Sequence, residues 1–204
     1  MQDVTGVRER IVSAALKLFA THGYSETSVE EIVSETGVTK GAFYYYFKSK
    51  EEVLELLHDQ FLNYELDRAR NVNESQGTPP EKLRVMISDL IQSILLYRAN
   101  VVVFFQEVDR LPADRRLEVE RRRREYQNQV ESILRAGIKE GYFNPALDPV
   151  IATLGIFGLC NYTYRWLNPA GRLPVEAVID MLSQIIMQGV SKPAAHDDRG
   201  PEAS

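Results

Sequence analysis

The stretch from Thr27 to Lys50 constrains what this chain can fold into more than any other. Ser28 followed by Glu31 is a capping box. The serine hydroxyl accepts from the amide three residues on, and the glutamate carboxylate accepts from the serine's own amide, so a helix is predicted to start there. Ile32 and Val33 give that short helix an apolar side, and Gly37, free to take positive φ, closes it in a tight turn. Thr39 caps a second short helix carrying Gly41, Phe43, Tyr44, Tyr45 and Tyr46; Ser49 with Glu52 predicts a further capping box and a further helix. Two short helices joined across a glycine turn describe a helix-turn-helix, which presents its second helix to a DNA major groove.

Charge points the same way. Between Thr36 and Lys50 stand Lys40, Lys48 and Lys50 and no acid, inside a chain of net charge −5. Such a chain is not a general polyanion binder, so contact with DNA must be local. Residues 1–50 carry six Lys or Arg against six Asp or Glu, which predicts weak non-specific binding and a need for two linked heads. Hydroxyls of Thr27, Ser28, Thr39 and the tyrosines are within reach of phosphates, as are Lys48 and Lys50. The expected division puts Thr27, Tyr44 and Lys50 on the phosphate backbone and Thr39, Lys40, Gly41 and Tyr45 nearest base edges. The competing reading is an amphipathic helix pair around a tyrosine-rich core.

The run GVTKGAFYYYFKSKE from Gly37 to Glu51 resembles the DNA-binding signature of the TetR family of bacterial repressors. IVSAALKLFATHGY, Ile11 to Tyr24, is similar to that family's first helix, so the resemblance covers about the first quarter of the chain. It implies an all-helical homodimer whose ligand releases it from DNA. Val33 and Thr36 stand where the family usually has alanines, and their bulk is expected to tilt the reading helix slightly.

The rest of the chain reads as helices throughout, so the expected fold is all-α. It comprises a three-helix DNA-binding domain over residues 1–50, a helical ligand-binding and dimerisation domain over 51–192, and a disordered tail over 193–204. A helix from Ser49 through Val53, Leu57 and Phe61 leaves the first domain and enters the second, as its mechanical link. Thr78, Pro79 and Glu81 start another, and the apolar run Val101 to Phe105 reads as a short buried helix. Ala113 to Lys139 is a long helix crowded with arginines, for which Glu118–Arg122 and Glu120–Arg124 have the stabilising i,i+4 order. Asp148 to Leu167 is apolar nearly all round, and Pro174 to Val190 has a regular apolar stripe. Together they predict a dimer seam through Leu154, Phe157, Val178, Leu182 and Ile185.

No catalytic constellation stands out. His22, His58 and His196 are far apart, and neither a His/Cys metal spacing nor a Walker or dinucleotide glycine loop occurs. No cofactor or metal is expected, and a helical enzyme acting on acyl thioesters is the remote alternative. Cys160 alone excludes an internal disulfide and fits a reducing cytoplasm. The opening is polar and no apolar run reaches the ~18 residues of a membrane span, so a cytoplasmic protein with no membrane partner is expected. EGYFNPALD, Glu140 to Asp148, and YRWLNPAGRL, Tyr164 to Leu173, resemble the TetR branch that represses lipid, fatty-acid and steroid breakdown genes and commonly answers to acyl-CoA. The resemblance implies an acyl-CoA effector. Phe104, Phe105, Tyr162 and Trp166 are then expected along an apolar tunnel, with Arg165 and Arg121 meeting carboxylate or phosphate. The competing expectation is a core aromatic cluster with Arg165 paired to an internal acid. The alternative effector is a lipophilic drug, as in multidrug-sensing repressors.

Overall fold

The helices opened by Ser28, Thr39, Ser49, Thr78 and Asp148 begin where those caps put them. The computed structural model describes residues 4–192, so the tail over 193–204 lies outside the described residues. In order come α1 (Val4–His22), α2 (Val29–Thr36), α3 (Lys40–Tyr46), α4 (Lys50–Glu74), α5 (Pro79–Leu96), α6 (Arg98–Glu107), a 3-10 turn (Val108–Arg110), α7 (Ala113–Lys139), α8 (Pro149–Asn161), α9 (Thr163–Trp166) and α10 (Val175–Val190). The all-α fold is as expected from the sequence. α1, α2 and α3 pack together, and α7 packs on α4, α5 and α8 to form the body.

The predicted caps are in place with one variation. Ser28 Oγ accepts from Glu31 N–H at 3.1 Å while Glu31 accepts from Ser28 N–H at 2.7 Å, and Gly37 closes α2 at φ 67°. Ser49 Oγ accepts from Glu52 N–H at 3.4 Å, but Glu52 accepts from Lys48 N–H instead of Ser49 N–H, so only half of that box forms. The Thr36 hydroxyl turns back onto the Ile32 and Val33 carbonyls, each at 3.1 Å, which absorbs its bulk into the end of α2. The Val101–Phe105 run is helical: after a break at Tyr97 the chain turns by 91° and α6 buries Val101, Val103 and Phe104.

The helix expected over Asp148 to Leu167 is in fact broken at Tyr162. Thr163 Oγ1 donates to the Cys160 carbonyl at 2.6 Å, and back-bonding of this kind bends a helix. Nor is that segment buried on every side: Ile151, Leu154, Leu159 and Tyr162 are exposed on the single chain, as are Met181 and Ile185 of α10. Phe157 and Leu182, expected at a dimer seam, are instead buried in the chain's own core, where Phe157 stacks on Tyr126 at 5.1 Å. Val178 is half-buried against that core. A helix apolar all round has no direction in its period, so the sequence does not tell which of these residues face inwards.

The end of α7 shows how tightly the body closes. Gly137 O accepts from Tyr142 and Phe143 N–H groups as the chain turns at Gly141, and Phe143 bridges to Ser191 at the end of α10. A Cβ on Gly137 would lie 2.2 Å from the buried Phe143 ring. Overpacking costs about 1–3 kcal/mol, against the ~1 kcal/mol that Ala gains over Gly in a helix. Gly137→Ala is therefore expected to lower the thermal midpoint; an unchanged or raised midpoint would show that Phe143 can move.

Candidate DNA-reading head and effector cavity

The reading head presents α3 outwards. Thr39 Oγ1 accepts from Ala42 N–H at 3.1 Å, and buried Phe43 and Phe47 fasten the helix from behind. That leaves Thr39, Lys40, Gly41, Tyr44, Tyr45 and Lys48 exposed, Tyr45 most of all among the aromatics at 78%. Tyr46 is half-buried and meets Tyr45 edge-on at 4.9 Å. Lys40 is ion-paired with Glu30 of α2, whose carboxyl is held below its ordinary range by that hydrogen bond. Ser28 is half-buried at the start of α2.

Two residues expected on the phosphates face inwards instead. Thr27 is 1% exposed, and its hydroxyl donates to Gly23 O at 2.8 Å. Lys50 Nζ donates to Tyr24 O at 2.7 Å and Thr27 O at 2.8 Å, with the Tyr24 ring 4.3 Å away. A cation held by carbonyls and an aromatic face fastens the turn between α1 and α2 in this chain. The same turn is gripped from the body, because Glu107 Oε1 at the end of α6 accepts from Tyr24 N–H at 3.1 Å.

In the body lies an apolar cavity of about 490 Å³ between α4, α5, α6, α7 and α8. Phe104, Phe105 and Tyr162 line it, as expected, together with Phe61, Leu90, Ile94 and Phe157. Arg165 and Trp166 do not line it; Arg165 Nε donates at 3.2 Å to the hydroxyl of Tyr164, which does, and Trp166 is 48% exposed. The break at Tyr162 rotates them away. Arg121 also lies away from it, bound to Glu118 at 2.8 and 2.9 Å. Arg115 and Arg122 are taken up by Asp59 of α4 at 2.6 and 2.9 Å. The expected Glu118–Arg122 and Glu120–Arg124 pairs are not made among the described residues. The arginine at the cavity is Arg123, and Arg124 lies beside it on an adjoining groove. Arg123 stacks over Phe104 and Phe105 at 5.8 and 5.9 Å, and both arginines line an adjoining groove of about 400 Å³ with Glu120, Gln127, Glu131 and Leu154. Arg123, Gln127 and Leu154 are common to groove and cavity.

Two buried titratable groups are missed by sequence reasoning, although both fall on the apolar stripe of α4. Glu65 lines the cavity at 6% exposure, and burial pushes its carboxyl up to about 7, against hydrogen bonding from Ser93 and Tyr126 and the charge of Arg68, with Asp89 raising it further. His58 packs on Phe104 at 5.1 Å with neither ring nitrogen hydrogen-bonded, and burial pushes it down to about 4 against the pull of Asp59. Cys160 is an inert core thiol, pushed up to about 12 by burial.

These two features, a helix-turn-helix head and a helical body with a cavity, describe a DNA-binding regulator. Residues 11–57 match the model of the bacterial regulatory proteins of the tetR family, and residues 76–190 match the tetracyclin repressor-like C-terminal domain. The chain belongs to the TetR family of transcriptional regulators. It is 30% identical over 191 residues to the HTH-type transcriptional repressor KstR2 of Mycobacterium tuberculosis, covering 93% of this chain and 96% of that protein. It is 27% identical to the fatty acid metabolism regulator protein of Bacillus subtilis, over 89% and 94% of the two chains. The solved structure of the ketosteroid transcriptional regulator KstR2 of Mycobacterium tuberculosis superposes with a TM-score of 0.84 at 29% identity, covering 91% of this chain and 95% of that one. Among the described residues no single helix is long and apolar enough to cross a membrane.

The inward Lys50 changes what its removal should do. Lys50→Ala is expected to destabilise the fold by about 1.5–3 kcal/mol, the range for hydrogen bonds to a charged group, and to weaken binding to all DNA sequences alike. Lys48→Ala should leave the thermal midpoint unchanged and reduce the salt slope of DNA binding by about 0.9 for each phosphate the lysine neutralises. Melting curves and salt titrations of both variants check this, and the opposite assignment of the two effects would refute it.

Glu65 also sets a pH dependence. Its ordinary value is 4.5 and its folded value about 7, so the folded chain holds this proton more tightly. That contribution to stability is full below about pH 4.5 and falls as pH rises towards 7. His58 runs the other way: with 6.5 ordinarily and about 4 when folded, its contribution is full above 6.5 and is lost as pH falls towards 4. Glu65→Gln removes only the first, so its stability relative to the parent should climb between about pH 4.5 and 7, by up to about 3 kcal/mol. A difference independent of pH in chemical denaturation would refute the assignment.

Proposed function

We propose that this protein is a cytoplasmic homodimeric repressor that binds a near-palindromic operator and is released from it by a CoA thioester. The observation that carries the reading is that the apolar cavity and the groove lined by Arg123 and Arg124 are adjacent and share Arg123, Gln127 and Leu154. An acyl group needs apolar walls, at ~0.8 kcal/mol per buried CH₂, and the CoA phosphates need cations at the mouth. Neither Arg123 nor Arg124 has an ion-pair partner among the described residues, whereas Arg115, Arg121 and Arg122 are all engaged. The names of the relatives, in ketosteroid and fatty-acid regulation, support an effector of this chemistry.

Dimerisation is supported by the exposed apolar face of α8 and α10, which carries Ile151, Leu154, Leu159, Tyr162, Met181 and Ile185. Gly155 and Gly189 have open space where a Cβ would stand, so a partner helix can approach closely. Two such chains present two copies of α3, with Thr39, Lys40, Gly41 and Tyr45 nearest base edges and Ser28, Tyr44, Tyr46 and Lys48 towards the phosphates. Release follows if ligand binds one arrangement of α4 and α6 better than the other, since both helices wall the cavity and both grip the turn at Tyr24.

Gel-shift release across acyl-CoAs, free acids and lipophilic cations tests the effector. CoA thioesters should release the protein at concentrations at least tenfold below the free acids. Arg123→Ala should raise the concentration needed about tenfold, with operator affinity unaltered; release by cations alone would sink the thioester reading. Ile185→Asp should give a monomer by light scattering and lose operator binding at the same time. A wild-type monomer at micromolar concentration would refute the dimer.

A further inference from the structure

The cavity has one feature that an acyl chain alone does not use. Its walls are mostly apolar, from Phe61, Leu90, Ile94, Phe104 and Phe157, with Arg123, Gln127 and Asn161 also on the lining, and the Glu65 carboxyl sits beside the apolar side chains. Glu65 is 6% exposed, and its Oε1 has no hydrogen-bond partner. A leucine on the same turn of α4 would complete the apolar stripe formed by Phe61, Leu62, Leu66 and Ala69. A plain hydrocarbon ligand would leave this oxygen buried and unpaired, which is the costly condition for a polar group.

We propose that Glu65 is a specificity-determining residue, by which the cavity prefers acyl groups bearing a hydroxyl or keto oxygen over plain hydrocarbon acyl groups. This rests on the CoA-thioester reading and adds the substituent that the acyl group carries. A protonated carboxyl donates to a keto oxygen, and either form accepts from a hydroxyl. Burial, which holds Glu65 at about 7, keeps a sizeable protonated fraction near neutral pH and makes the donor available. Tyr126, which also lines the cavity, faces Glu65 from α7, and Ser93 faces it from α5, so the carboxyl is held in place from two sides. A site built to hydrogen-bond a ligand oxygen rejects the analogue lacking it, because its own polar group is then left unpaired. An unoxygenated chain of the same length buries the same apolar surface and satisfies nothing at Oε1.

The test uses the full chain and a decanoyl-CoA series, either plain or with one keto or one hydroxyl group at successive carbons. Binding is measured by isothermal titration and release by gel shift on the operator. At least one oxygenated member is expected to bind about tenfold or more tightly than plain decanoyl-CoA. Glu65→Leu should abolish that preference, chiefly by strengthening the plain thioester and weakening the oxygenated one. Glu65→Gln, which keeps a donor and an acceptor, should retain the preference and covers the case in which the leucine variant does not fold. The keto and hydroxyl arms tell which oxygen is read. Equal affinities across the wild-type series would overturn the role of Glu65 and leave the thioester reading standing. A preference that survives Glu65→Leu would overturn it too, and no binding by any member would overturn both.

Discussion

The position of the reading head depends on one short turn, Tyr24 to Thr27, and on what holds it. Lys50 Nζ, at the first residue of α4, takes the Tyr24 and Thr27 carbonyls, while Glu107, at the last residue of α6, takes the Tyr24 N–H. A cation collects carbonyls and a carboxylate collects an amide, so both peptide polarities of the turn are satisfied by charged groups from the body. Thr27 adds a bond back to Gly23 O, and Tyr24 packs edge-on against Phe19 at 5.1 Å. The turn is thus the joint of three helices, α1, α4 and α6. Hydrogen bonds of this length have narrow geometric tolerance, so a relative shift of α4 and α6 must either break one of them or carry the head along.

Much of this architecture was legible in the sequence, because caps and apolar periods are local. Ser28 with Glu31, the positive-φ Gly37 and Thr39 place α2 and α3 correctly, and the long α7 runs between the residues its pattern implied. What was not legible is the pairing of long side chains. Lys50 and Lys48 look alike in a basic window, yet one is folded onto backbone carbonyls and the other exposed; the distinction depends on where the α1–α2 turn lies in space. Likewise Arg121 to Arg124 are four neighbours in sequence, but a helix points successive residues about 100° apart, so only two of them face the groove. The cavity acid did carry a signal: a glutamate on a leucine–phenylalanine stripe contradicts the stripe, and such local contradictions mark functional positions.

The α4 helix shows how these parts are joined. From Lys50 to Glu65 it rises by ~1.5 Å per residue, so one continuous helix spans the distance from the head's joint to the cavity wall. It is clamped to α7 by Asp59 against Arg115 and Arg122, ion pairs that are only partly exposed and therefore less screened than surface ones. Two polar groups with unpaired atoms, both ring nitrogens of His58 and Oε1 of Glu65, lie on the buried side of that same helix. Both are costly to bury, and both adjoin ring walls of the cavity, His58 through Phe104 and Glu65 directly. The cost of burying them is concentrated where the helix adjoins the cavity. Local weakness of this kind lowers the cost of moving the helix, and a ligand would move it only by binding one arrangement better than the other.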